Sequence, residues 1–205
     1  MLRAPQLYMF LMHCEMTPLP KEILECGVGT RPDTVPLFAR FAERGYAVRG
    51  IEISDPRLQN TRDYCAKHGI DADLRLADMR ELPFGDASIP FLFSYNSIFH
   101  MTKADIAASM KEIGRVLMPG GNCFVNFASV DDDHFGTGRE LKPGEFEQQE
   151  GDSTTIHSYY EPDEAAALFD GLIIDHMERR VVSRRFTDGL FTQGYIDFVA
   201  RKPES

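Results

Sequence analysis

Apolar positions fall into short runs separated by polar stretches rich in Gly and Pro, and their spacing switches between two periods. Glu22–Cys26 is a short apolar run that ends in glycines; residues 46–53, Ala72–Leu76, 89–95 and 123–127 repeat that form. Runs of this length, bounded by turn residues, are the pattern of buried strands. Helix signals lie between them. Asp33 can cap a helix that runs through Arg44, with Pro36 in its first turn and Gly45 as its stop. Asp55-Pro56 opens another, which Gly69 ends. Thr102 with Asp105 resembles a capping box, and the helix behind it carries Ile106, Met110, Ile113 and Leu117 at helical spacing until Pro119-Gly120-Gly121 breaks it. Residues 7–12 read as part of an amphipathic helix that packs over the sheet or over its ligand.

This alternation predicts an α/β fold, doubly wound, with a mostly parallel seven-stranded sheet and helices on both faces. Residues 172–186 and 191–201 are two β-rich runs joined by Thr187-Asp188-Gly189, a hairpin signal, so the sheet closes with an antiparallel strand. Residues 1–205 make one domain. Residues 131–158 are a long polar stretch with several glycines, which reads as a lid or insertion.

Composition narrows the function. The 205 residues suit one domain, and 43% hydrophobic with 26% charged residues is ordinary for a soluble chain. A formal net charge of -10 argues against a nucleic-acid partner, since phosphate binding needs a basic stripe. Arg179, Arg180, Arg184 and Arg185 form one local basic cluster, read as a solvated strand pair. Cys14, Cys26, Cys65 and Cys123 fit neither a zinc template nor a disulfide framework and suit reduced thiols in a cytoplasm. No apolar run is long enough to span a membrane. Asp131-Asp132-Asp133 lacks the spacing of a metal loop and reads as solvated, so no metal is expected.

Ligands of doubly wound sheets bind outside the carboxyl ends of the strands. Glu25-Cys26-Gly27-Val28-Gly29-Thr30 follows the first strand, and its two glycines let the backbone approach a ligand closely. Glu52, 25 residues after Gly27, ends the second strand, where a carboxylate can accept both hydroxyls of a ribose. Together they describe a nucleoside site. A dinucleotide requires a third glycine and a free helix N-terminus for its pyrophosphate; Pro32 and Asp33 stand there instead. S-adenosylmethionine has no phosphate, and Glu25 can hold its ammonium group.

These residues resemble the class I S-adenosylmethionine-dependent methyltransferases. Glu25-x-Gly27-x-Gly29 is similar to the family's first motif, Gly50-Ile51-Glu52 to its ribose-binding strand end, and Leu76-Ala77-Asp78-Met79 to its adenine-binding segment. Ser94-Tyr95-Asn96-Ser97 resembles the segment that lines the methionine part. The resemblance implies S-adenosylmethionine as cofactor, with contacts from Glu25, Gly27, Gly29, Thr30, Glu52, Ile53, Asp78, Met79 and Tyr95. It implies methyl transfer, here to a small molecule; a macromolecular acceptor and a non-catalytic binding module stay open. Asn96, His157, Tyr159 and Tyr160 are candidates for the acceptor side. His100 is the candidate base, needed for a hydroxyl acceptor and dispensable for an amine or thiol; packing at a helix start is its alternative role. The chain departs from the family at Arg31, where many members have a third glycine, and its Ser-Tyr-Asn-Ser segment lacks the Pro-Pro signature of nucleic-acid amino methylation.

Overall fold

A computed structural model describes residues 4–151, 153–186 and 189–204. It opens with helix α1 (Gln6–Met16), strand β1 (Glu22–Cys26) and a single helical turn, α2 (Ala39–Ala42). Strand β2 (Ala47–Glu52), helix α3 (Asp55–His68), strands β3 (Ala72–Leu76) and β4 (Ile89–Ser94), helix α4 (Lys103–Val116) and strand β5 (Leu117–Ser129) complete the parallel part. Strands β6 (Arg139–Lys142), β7 (Glu145–Glu150) and β8 (Ser153–Tyr160) follow, then helix α5 (Pro162–Ala166) and the long strands β9 (Ile173–Phe186) and β10 (Gly189–Arg201).

The central sheet runs β3-β2-β1-β4-β5-β10-β9. Its first five strands are parallel, and β10 runs antiparallel between β5 and β9. That is the expected seven-stranded sheet with its closing hairpin. Thr187-Asp188 of the expected turn lies outside the described residues, and Gly189 pairs with Phe186 beside it. Strands buried on both faces need apolar runs, and β4 is buried throughout. On one face Phe91, Phe93, Phe124 and Val199 meet Leu7, Phe10 and Leu11 of α1, Phe41 of α2 and Leu58 of α3. On the other, Leu92, Val125, Phe127 and Phe198 meet Ile106, Met110 and Ile113 of α4 and Ala165 of α5. The N-terminal helix therefore packs over the sheet. All four cysteines are buried and free, and burial pushes their thiols up.

Three local expectations are corrected. The helix expected from Asp33 to Arg44 shrinks to the Ala39–Ala42 turn. Asp33 adopts a left-handed φ of 54° instead of capping, as the third residue of a tight turn that Thr34 N–H closes onto the Arg31 carbonyl at 3.2 Å. The objection that Asp33 would block a pyrophosphate at a helix start therefore falls. The triple aspartate is only partly solvated. Asp131 pairs with Arg179 and accepts the Ser129 hydroxyl at 2.7 Å, Asp132 accepts Gly194 N–H at 3.1 Å, and Asp133 accepts Thr192 N–H at 2.6 Å. Together they fasten the exit of β5 to β9 and β10. Nor is the arginine cluster wholly solvated, because Arg180 forms a two-point ion pair with the fully buried Asp197, at 2.6 and 3.1 Å.

The 131–158 stretch builds β6, β7 and most of β8, an antiparallel excursion that rejoins β5 through Ala128–Tyr159 and Ser129–Tyr160 pairing. Its base is tied to the loop after β4: Ser158 N–H donates to the Phe99 carbonyl at 2.9 Å and the Ser158 hydroxyl to the Met101 carbonyl at 2.6 Å. Glu145 accepts Lys103 N–H at 2.8 Å, adding an outside cap to α4 beside the expected Thr102–Asp105 box.

Candidate active site

The carboxyl ends of β1, β2 and β3 are stitched at one level. Gly27 and Val28 N–H both donate to the Ile51 carbonyl, at 2.9 and 3.0 Å, and Ala77 N–H donates to the Glu52 carbonyl at 3.0 Å. Above them opens a cavity of about 950 Å³. All nine residues expected to hold the cofactor line it: Glu25, Gly27, Gly29, Thr30, Glu52, Ile53, Asp78, Met79 and Tyr95. His100 and Asn96 line it as well.

Its floor fits an adenosine bearing an amino acid. A Cβ on Gly27 would lie 1.9 Å from the Ser97 hydroxyl oxygen, and one on Gly29 would lie 2.4 Å from a Glu52 carboxylate oxygen, so only bare backbone fits here. Glu52 is 8% exposed, and its two oxygens accept Gly29 N–H and Ser54 N–H, each at 2.9 Å. These bonds pin the carboxylate at the strand end, and each oxygen keeps a lone pair for a hydroxyl donor. Glu25 is 4% exposed, and one of its oxygens accepts Phe38 N–H at 3.0 Å. Burial pushes its carboxyl up to about 8, the Phe38 bond pulls it down, and the nearby Glu52 charge raises it. Two acids buried side by side with no cationic partner among the described residues suit a ligand that brings its own hydroxyls and positive charge.

Residues 23–121 match the family described as "Methyltransferase domain". That stretch, just under half of the chain, resembles a class I methyltransferase domain. Methyltransferase GfsG of Streptomyces halstedii is 33% identical over 98 residues, which are 47% of this chain and 33% of that protein. O-methyltransferase cnsE of Penicillium expansum is 29% identical over 116 residues, 56% of this chain and 40% of that protein. The chain thus spans well under half the length of either relative. Across its whole length the chain superposes on a SAM-dependent methyltransferase of Methanosarcina mazei with a TM-score of 0.76 and 18% identity, covering 100% of both chains. The cofactor of this family is S-adenosylmethionine.

Asp78 reaches the cavity with its carboxylate already engaged. Arg80 Nε lies 3.0 Å from each oxygen, Arg80 N–H donates at 2.8 Å, and the guanidinium continues to Asp105 at 3.0 Å. The Arg80 bonds hold the Asp78 carboxyl below the usual carboxylate range. Arg80 escaped the sequence reading because nothing in the local pattern shows that it folds back on Asp78.

The turn after β4 builds another wall of the cavity. Asn96 has a φ of 51°, stabilised by the fully buried Asn126 of β5: Asn96 N–H donates to Asn126 Oδ1 at 2.7 Å, and Asn126 Nδ2 donates to Asn96 Oδ1 at 2.6 Å. Asn126 was missed because one Asn within an apolar strand carries no motif. Tyr95 stacks on Phe124 with ring centres 5.9 Å apart, which makes it a wall of the cavity.

The three remaining acceptor candidates are not brought into the cavity. His157, Tyr159 and Tyr160 lie buried in β8, where strand alternation and the core claim them. His157 packs behind His100, edge to face, with ring centres 4.6 Å apart. Tyr159 donates its hydroxyl to Gln148 at 2.9 Å, and Tyr160 packs against Phe127. Their neighbours in the same strand, Thr154, Thr155 and Ile156, line the cavity in their place.

Proposed function

We propose that this chain transfers a methyl group from S-adenosylmethionine to a small-molecule acceptor. The observation that carries the reading is the convergence of nine cofactor-type residues, Asn96 and His100 on one cavity of about 950 Å³. That volume lies at the upper end for small-ligand sites and leaves room for an acceptor beside the cofactor. The relatives GfsG and cnsE are named as methyltransferases, and cnsE as an O-methyltransferase.

The cofactor supplies a methyl group already activated by its sulfonium. The chain's part is placement. Glu52 fixes the ribose end, Glu25 the ammonium, and the Tyr95–Asn96 turn the region where the methyl points. Alignment of two reactants in this way contributes up to about 7–11 kcal/mol of barrier lowering. For a hydroxyl acceptor, His100 is the group on the cavity wall suited to take the proton; an amine or thiol needs no such step. Thr154, Thr155 and Ile156 of β8 line the acceptor side. The acidic chain favours a free small molecule over a nucleic acid. No helix among the described residues is long and apolar enough to cross a membrane, and we place the protein in the cytoplasm.

Calorimetry with S-adenosylhomocysteine and with NAD tests the cofactor, and labelled-methyl transfer to metabolite pools tests the reaction. The expected outcome is micromolar binding of the first ligand, none of the second, and label in a low-mass product. Label only in protein or RNA would move the acceptor to a macromolecule, and binding without any transfer would leave a regulatory module.

A further inference from the structure

Past Tyr95, the same face of the sheet carries a buried polar row that the cofactor contacts do not use. Ser94 lies opposite Val125, so the next residues, Tyr95 and Asn126, share the other face. Asn126 lies opposite Asp197, Ala128 opposite Tyr195, and Tyr195 opposite Arg180. Arg180 lies over the Tyr195 ring at 4.4 Å and is held at two points by Asp197. Four residues further along β9, Arg184 points to the same face, and it makes no hydrogen bond or ion pair with another described residue.

We propose that Arg180 and Arg184, next to the Tyr95 wall of the cavity, bind an oxyanion on the methyl acceptor, a carboxylate or a phosphate. This rests on the methyl-transfer reading and names the acceptor's class. Arg180 is charge-compensated by Asp197 yet oriented by it, and an oriented guanidinium presents its remaining N–H groups in a fixed fork. Arg184 contributes the uncompensated charge, in a chain whose net charge is -10. Both cations already act on the cavity wall: burial pushes the Tyr95 hydroxyl up, and Arg180 and Arg184 pull it back down, while Asp197 adds to the rise. Tyr195 feels both arginines in the same sense. A neutral acceptor has no use for two guanidinium groups on this edge. An acid extending from the methyl position past Tyr95 meets both.

Arginine Nε resonances give a direct readout on the full chain saturated with S-adenosylhomocysteine, so that the cofactor's own carboxylate is already in place. The probes are benzoate, phenyl phosphate and the neutral benzamide. Benzoate or phenyl phosphate should shift the Arg180 and Arg184 signals saturably, and their order of affinity tells carboxylate from phosphate. Added salt should weaken that binding. Arg184→Gln should weaken the better anion by about tenfold, the scale of one charge-assisted hydrogen bond. Affinity for S-adenosylhomocysteine should stay unchanged in that variant, and Arg184→Lys should recover part of the anion binding. Equal binding of benzamide, no shift at either arginine, or an Arg184→Gln chain that binds anions like the parent would overturn the proposal. The methyl-transfer reading is judged separately, by label transfer: an acceptor that is neutral and indifferent to Arg184→Gln would keep that reading and remove this one.

Discussion

At the residue scale, Glu25 couples ligand binding to protons. Its carboxyl is raised from 4.5 to about 8, with burial the largest cause. Between those values the folded chain keeps a proton that the unfolded chain has released. This contribution to stability is therefore full below about 4.5 and is lost as pH rises towards 8. A bound ammonium reverses the preference, because it favours the ionised carboxylate. Binding must then expel the proton below pH 8. The expected result is that S-adenosylhomocysteine binds about tenfold tighter for each pH unit gained below that value and levels off above it. Calorimetry in two buffers of different ionisation enthalpy should register the released proton. Glu25→Gln should flatten the profile, and a parent protein with pH-independent affinity would take the ammonium contact away from Glu25.

At the element scale, the β1–α2 connection separates what sequence shows from what it hides. Gly27 was readable because its role is a backbone role: its φ is 85°, and Ser97 occupies the space where a side chain would go. Gly27→Ala is expected to weaken S-adenosylhomocysteine binding by about tenfold or more, from left-handed strain of about 1–2 kcal/mol plus the clash. Ser97→Gly in the same chain should restore part of the affinity, which calorimetry on single and double variants would measure; no recovery would mean that Ser97 does not press on this turn. The strands were legible for a similar reason, since burial on two faces writes continuous apolar runs such as residues 89–94. The helix from Asp33 was not. A capping residue, a tolerated proline and a glycine stop are local signals, and the segment instead spends its Phe38 N–H on Glu25, 13 residues earlier. Arg80 and Asn126 were hidden likewise, because the bonds that give them a role are set by tertiary placement.

At the scale of the whole molecule, the polar composition of residues 131–158 hid an ordered excursion, because polar side chains such as Glu145 and Gln148 are buried there through hydrogen bonds. The Phe146 ring faces the core while Glu147 faces out, and Phe135 meets the Phe146 and Tyr159 rings with centres 5.6 Å apart. A lid that swings as one body would have to break the Ser158–Phe99, Ser158–Met101 and Glu145–Lys103 bonds at its base, at about 0.5–1.5 kcal/mol net each, and expose the Phe146 cluster besides. The cavity end carries a lighter load, since among the described residues Thr154 and Thr155 pair only with β7. We therefore place the moving part at that end, as a wall that adjusts around the acceptor while the base stays closed. Hydrogen exchange should show slow amides at residues 145–148 and 156–160 in the free protein and fast ones at Thr154 and Thr155, with ligand slowing mainly the latter. If residues 139–160 exchanged together as one fast unit and became protected as one on binding, the excursion would be a lid hinged at β5, and acceptor entry would be gated by the whole of it.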